Sequence, residues 1–137
     1  MRYLGLDLGA RSLGIALSDK TGVIASFYKN IKTDNEDIMI KELKEIIEKE
    51  NVSKIILGLP KNMNNTYGER VDETMKFKKR LEQEFGIEVI LEDERLTTKL
   101  AESVLIKADM SRKKRKKVVD GVSAVIILQS YLDRKEK

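Results

Sequence analysis

Three carboxylic acids stand where acids need a reason. Asp7 interrupts the apolar stretch Tyr3-Leu4-Gly5-Leu6-Asp7-Leu8, Glu94 follows the apolar run Val89-Ile90-Leu91, and Asp120 lies between Val119 and Gly121. An ionised side chain in such company is disfavoured unless it is paired, hydrogen-bonded or bound to a cation. For Asp7 two readings stand at this level: a carboxylate serving the Gly9 turn or a lysine, and a metal ligand. The chain has no histidine and no cysteine. The commonest general base is therefore missing, and so are the soft ligands that zinc and copper prefer. Three oxygen donors alone suit a hard cation, Mg²⁺ or Mn²⁺. Two such ions about 4 Å apart activate a water and stabilise a leaving oxygen without any protein base, which points to phosphoryl chemistry.

A phosphate partner is also suggested by charge. The net charge is +4, from 27 basic and 23 acidic residues, yet six bases are consecutive: Arg112, Lys113, Lys114, Arg115, Lys116 and Lys117. Without that run acids would outnumber bases, so the basicity is one local patch. Its plainer reading is a solvated helix start. Against this, cations at a helix N-terminus oppose the macrodipole and repel one another at i, i+4. Arg11, Lys61, Asn62 and Arg95 flank strand ends near the acids and are the other candidate nucleic-acid contacts, with turn bonds and salt bridges as their alternative roles.

Positioning these residues takes an α/β layout. Arg2 to Leu8, Leu13 to Ser18 and Val23 to Ile31 read as three strands joined by turns, an antiparallel meander. The period then changes: Met39, Leu43, Ile46 and Ile47 mark an amphipathic helix capped by Asp34 or Asn35. Lys54 to Leu59 is a continuous apolar strand that opens at Pro60 into the polar loop Lys61 to Gly68. A helix from Glu69 to Phe85 follows, with Val71, Met75, Lys78, Leu81 and Phe85 on its inner face and Gly86 closing it. Ile87 to Leu91 is a fifth strand, and Thr97 caps a helix through Ala101, Val104, Leu105 and Ala108. A last helix runs from Arg112 to Leu132, with Val118, Val122, Val125, Ile126 and Gln129 as its core stripe. The expectation is one domain over residues 1–137. Its mixed five-stranded sheet joins the meander to two parallel strands beside the first, is flanked by helices, and places sites at strand ends.

Four motifs also resemble a known family. They are Leu6-Asp7-Leu8-Gly9 with Arg11, Gly14, Ile15 and Ala16; Gly58-Leu59-Pro60-Lys61-Asn62-Met63; Asp93-Glu94-Arg95-Leu96-Thr97-Thr98; and Asp120-Gly121-Val122-Ser123-Ala124 leading into Ile127-Leu128-Gln129. In this order they resemble the YqgF family, also called RuvX, over essentially the whole chain. That family comprises ribonuclease H-like proteins related to Holliday-junction resolvases and assigned to pre-16S rRNA processing. The resemblance implies a ribonuclease H-like fold, with Asp7, Glu94 and Asp120 standing where the family's metal-binding acids stand and Asp93 as the rival of Glu94. It implies hydrolysis of phosphodiester bonds in maturation of the 5′ end of pre-16S rRNA. After Met63 the chain departs from the family's Asp-Gly-Thr-Glu-Gly-Pro, reading Asn64, Asn65, Thr66, Tyr67, Gly68 and Glu69.

Alternatives from other classes remain at this level: a Holliday-junction resolvase, a catalytically silent nucleic-acid-binding module, and a nucleotide phosphotransferase, since Asp-Leu-Gly on an opening hairpin also resembles the sugar-kinase superfamily. Length opposes the last, because that superfamily closes its cleft between two such domains. A monomer and a homodimer both fit. No apolar run approaches the roughly 20 residues of a membrane span, and the polar N-terminus does not resemble a signal peptide, so the expected place is the cytoplasm.

Overall fold

The structure, a computed structural model, describes residues 2–9, 11–59, 69–93 and 112–135, with the side chains of 71–92 and 123–134 in the last two stretches. The described elements are β1 (Arg2–Leu8), β2 (Leu13–Ser18), β3 (Ala25–Ile31), α1 (Glu36–Glu50), β4 (Val52–Leu59), α2 (Glu69–Phe85), β5 (Glu88–Asp93) and α3 (Arg112–Lys135). The expected loop after Pro60 and the helix expected after Thr97 lie outside the described residues.

The strands form one sheet in the order β3-β2-β1-β4-β5. β1 pairs antiparallel with β2, and β2 with β3, while β4 joins β1 and β5 joins β4 in parallel. The meander and the two added parallel strands are as the sequence predicts, with β1 at the centre. Leu4 and Leu6 of β1 are fully buried with Met39, Leu43 and Ile46 of α1 and Phe77 and Leu81 of α2. On the other face Tyr3, Ala16 and Ile56 pack against Ala124, Ile127, Leu128 and Leu132 of α3. Two apolar layers thus enclose a sheet that is apolar on both sides, the arrangement that parallel strands require.

Local chemistry sets the ends of these elements. The Asn35 side chain accepts from the Asp37 and Ile38 amides at 2.9 and 3.4 Å and so caps α1. Asn51 closes the same helix at φ 54, and Gly86, at φ 63, returns its N–H to the Glu82 carbonyl at 2.9 Å. β3 begins at Ala25 rather than Val23, because the Asp19 carboxylate takes the Val23 and Ile24 amides at 2.8 and 3.0 Å and folds them into the turn. β5 extends past Leu91, since Gly58↔Glu92 and Leu59↔Asp93 continue the parallel register.

Two helix faces differ from the sequence reading. In α2 the inner face is Val71, Thr74, Phe77 and Leu81, and Met75 is exposed; Phe77, not Met75, fills the space under the sheet. In α3 the buried stripe is Ser123, Ala124, Ile127, Leu128 and Leu132, while Val125 and Ile126 are only half-buried. The cause is Gly5: a Cβ there would lie 2.7 Å from the Leu128 Cβ and 3.0 Å from the Ala124 carbonyl oxygen. Helix and strand backbones approach closely there, which turns Ala124 and Leu128 to Gly5 and leaves Val125 and Ile126 to the side. Gln129 serves the edge instead, accepting from the Ala25 amide at 2.9 Å and donating to the Val23 carbonyl at 2.9 Å.

Candidate active site

Asp7 is the penultimate residue of β1, at the end of the sheet where the parallel strands β1, β4 and β5 all finish. Ligands of open α/β sheets bind outside such carboxyl ends. Strand alternation fixes its side: Leu4 and Leu6 enter the α1 and α2 core, whereas Tyr3 and Gly5 meet α3, and Asp7 continues the second set. It is half-buried. Its neighbour on β2 is Gly14, which pairs in turn with Asn30 of β3. On the other side the paired register ends at Leu6↔Leu57, and one further step along both strands leads to Asp7 and to Gly58, which pairs with Glu92. One transverse row therefore reads Asn30, Gly14, Asp7, Gly58, Glu92.

Neither neighbour contributes a side chain beside Asp7. Backbone geometry does not demand this, because among the described glycines only Gly22 and Gly86 have positive φ. A glycine inside a strand costs roughly 0.5–1 kcal/mol, and at ordinary φ its use is to admit a ligand or another backbone closely.

α3 runs past β1 in a defined sense. The Tyr3 ring lies 6.1 Å from that of Tyr131, and Gly5 faces Leu128 and Ala124, so ascending β1 means descending the numbering of α3. The step from Gly5 to Asp7 is about 6.6 Å of strand, and the step from Ala124 back to Asp120 is about 6 Å of helix. Asp120 belongs to α3, one turn before Ala124.

The remaining expected site residues divide simply. Arg11 is exposed beside the turn that the Gly9 amide closes on the Ser12 carbonyl at 2.8 Å. Arg112, Lys113, Lys114, Arg115, Lys116 and Lys117 form the opening turns of α3. Glu94, Lys61, Asn62 and Arg95 lie outside the described residues, as do the side chains of Asp93, Asp120 and the basic run. Among the described residues no group of three metal-ligating side chains forms. No helix there is long and apolar enough to cross a membrane.

Sequence reading gave Glu92 no separate role. It is 6% exposed, and its Oε1 receives Arg134 Nη1 at 2.8 Å, joining the end of α3 to β5. Arg134 also stands 5.7 Å above the Tyr131 ring. The available signal was parity, since Ile90 and Glu92 share the α3 side of β5.

Comparison with known proteins agrees with this fold. A Geobacillus protein (strain WCH70) named as a pre-16S rRNA nuclease is 52% identical over 138 residues, covering 99% of this chain and 100% of its own. Among solved structures, Thermus thermophilus RuvC superposes with a TM-score of 0.61 at 13% identity, covering 99% of this chain and 96% of its own, and it has also been solved with a Holliday-junction substrate. A sugar kinase from Cytophaga hutchinsonii reaches 0.51 at 17% identity, over 74% of this chain and 39% of its own. Both are likenesses of fold, and the kinase chain is more than twice the matched length. The family model described as "RuvX: Holliday junction resolvase" matches residues 1–134, and with a relative identical at half its positions, this chain belongs to the RuvX family.

Proposed function

We propose that the protein is a metal-dependent nuclease that hydrolyses phosphodiester bonds in structured RNA, with the 5′ end of pre-16S rRNA as its substrate and the cytoplasm as its place of action. The observation that carries this reading is Asp7 itself: a carboxylate on the central strand, at the carboxyl edge of the parallel strands, between two glycines and on the side of α3. The matched steps of strand and helix support convergence of Asp7 with Asp120. Parity along β5 supports Glu94 as the third acid over Asp93, because Val89 belongs to the α1 and α2 core whereas Ile90 and Glu92 belong to the side of α3.

Three carboxylates with no imidazole or thiolate in the chain fit Mg²⁺ or Mn²⁺ as donors. Asp7, Glu94 and Asp120 would hold the metal, which supplies an activated water and neutralises charge on the leaving oxygen. Arg11, Lys61, Asn62, Arg95 and the run from Arg112 to Lys117 would bind the nucleic-acid strand. The share of sequence held in common with a relative named for pre-16S rRNA supports the choice of RNA.

The test is cleavage of labelled pre-rRNA fragments and four-way DNA junctions by wild type and Asp7→Asn, with Mg²⁺, Mn²⁺ or chelator. Wild type cuts the RNA in either metal and stops in chelator. Asp7→Asn loses more than about a hundredfold in rate, since a metal ligand supports several kcal/mol of the barrier reduction, and still binds RNA. Unchanged turnover in Asp7→Asn refutes the site and leaves the silent binding module ahead. The family's description favours one second reading, resolution of branched DNA. That reading requires a symmetric dimer able to cut two strands together, and preferential cutting of the junctions would select it.

A further inference from the structure

Asn30 shares both the row of Asp7 and its face of the sheet. It pairs with Gly14, and Gly14 pairs with Asp7, so Asn30 and Asp7 stand two strand spacings apart, about 10 Å between Cα atoms. The residue between them has no side chain. Directly paired residues point to one side of a sheet. Leu13 and Ile15 enter the α1 and α2 core while Ala16 meets α3, so Gly14 and its partner Asn30 face α3, as Asp7 does. Asn30 is half-buried, and its Oδ1 is covered and accepts no hydrogen bond among the described residues.

Other polar side chains of the sheet are met from within the fold. Ser18 Oγ takes the Tyr3 amide at 2.8 Å, and Glu92 receives Arg134 at 2.8 Å. Arg2 donates to Glu50 at 3.0 Å at the opposite end of the sheet, where both line a cavity of about 420 Å³ with Lys20, Lys49 and Asn51. Asn30 has no such answer. A covered carbonyl oxygen without a donor destabilises a fold, and in a native structure it calls for a group that the chain alone does not supply. Strand propensity does not favour asparagine there either.

An orphaned acceptor needs a donor, and a carboxylate, itself an acceptor, cannot be one. Waters bound to a divalent cation are donors, and Mg²⁺ keeps several of them at about 2.1 Å. With a hydrogen bond of about 2.8 Å beyond such a water, the acceptor stands about 5 Å from the ion, a reach that suits a row two strands wide. The approach of α3 agrees. Gln129 is bonded to Ala25, whose partner Ser18 lies four residues of β2, about 13 Å, from Gly14, the partner of Asn30. Nine residues of α3, from Gln129 back to Asp120, rise by about the same length. We infer that Asn30 is a positioning residue of the Asp7 site, its side-chain oxygen accepting from a water of the metal that Asp7 and Asp120 would hold. This rests on the metal-site reading above and extends that site to β3.

The test is binding of Mn²⁺ to the full chain without nucleic acid, followed by electron paramagnetic resonance of the free ion. Wild type is expected to bind and Asp7→Asn to lose binding, which examines the site itself. Asn30→Ala and Asn30→Leu, which remove the acceptor, are expected to bind about tenfold more weakly or worse, the usual cost of losing an outer-shell partner. Asn30→Asp, which keeps an acceptor oxygen, is expected to bind at least as tightly as wild type. A merely structural asparagine would leave the affinity unmoved. Wild-type affinity in both Asn30→Ala and Asn30→Leu, beside a defective Asp7→Asn, overturns the inference and leaves the site standing. Absence of saturable binding to wild type overturns both. Should neither variant fold, nuclear magnetic resonance of ¹⁵N-labelled wild type decides. Substoichiometric Mn²⁺ is expected to broaden the Asn30 side-chain amide signal, and a signal that stays sharp while the Gly14 amide broadens overturns the inference.

Discussion

A single methyl group separates what β1 tolerates at two of its positions. Gly5 has no room, since its Cβ would sit 2.7 Å from the Leu128 Cβ and 3.0 Å from a carbonyl oxygen. Neither obstacle is the movable tip of a side chain, so α3 itself must shift. Gly5→Ala is expected to cost about 1–3 kcal/mol, the usual penalty of overpacking, measured as a lower midpoint in urea. A wild-type midpoint would refute the close approach of α3 and with it the step that relates Asp7 to Asp120. Asp7 differs in kind: its neighbours are bare, and Asp7→Asn removes a charge without adding bulk. Its loss is expected in turnover, as set out above. Sequence reading singled out Asp7 by its position, because an acid in an apolar strand demands a partner. It gave Glu92 no separate role, because only the continued pairing with Gly58 shows that the strand runs on through that residue.

The β2–β3 turn shows how an element end follows from one side chain. Asp19 accepts from the Val23 and Ile24 amides, and its second oxygen meets the Thr21 hydroxyl. The Ile24 amide above all, then the Thr21 hydroxyl and the Val23 amide, hold the carboxyl well below its ordinary value of 3.8. A carboxyl whose folded value is depressed adds stability above its unfolded value and loses it as pH falls below that value. Asp19→Asn is therefore expected to lower the thermal midpoint at pH 7, with the gap from wild type narrowing as pH drops below about 4. A gap that stays constant down to pH 2 would contradict the role given to these bonds. Among the described residues, element types were legible from the periods of 2 and 3.6 and from the continuous apolar run of β4. The phase of α3 was not, because the face a helix buries depends on how near its partner comes, and a glycine on a different strand sets that.

For the whole molecule the fold separates two charged regions. Asp7 lies at the carboxyl edge, the basic run opens α3, and the opposite edge holds the cavity around Arg2 and Lys49. If the basic run contacts phosphates, each lost contact lowers the slope of log affinity against log salt by about 0.9 on duplex DNA and 0.7 on single strands. Replacing Lys113, Lys114, Lys116 and Lys117 with Gln is expected to weaken RNA binding and make the slope shallower by up to about 3, measured by fluorescence anisotropy from low to moderate salt. A slope equal to that of wild type would identify the run as a solvated helix start.

The sequence by itself determined the order of the described elements and carried the family resemblance, and it narrowed the chemistry that the chain can perform. Composition excludes imidazole and thiolate outright, periodicity separates strand from helix locally, and four ordered motifs carry the family resemblance; none of these needs a partner distant in the chain. Tertiary structure alone decided what depends on registers between strands and on the approach of layers: that Asp7 has glycines on both sides, that α3 turns Ala124 and Leu128 to the sheet in place of Val125 and Ile126, and that Arg2, Lys20 and Lys49 share one cavity. Residues far apart in sequence meet only when the backbone has folded, and packing at a distance of a few ångströms, not local propensity, chooses which of their atoms touch.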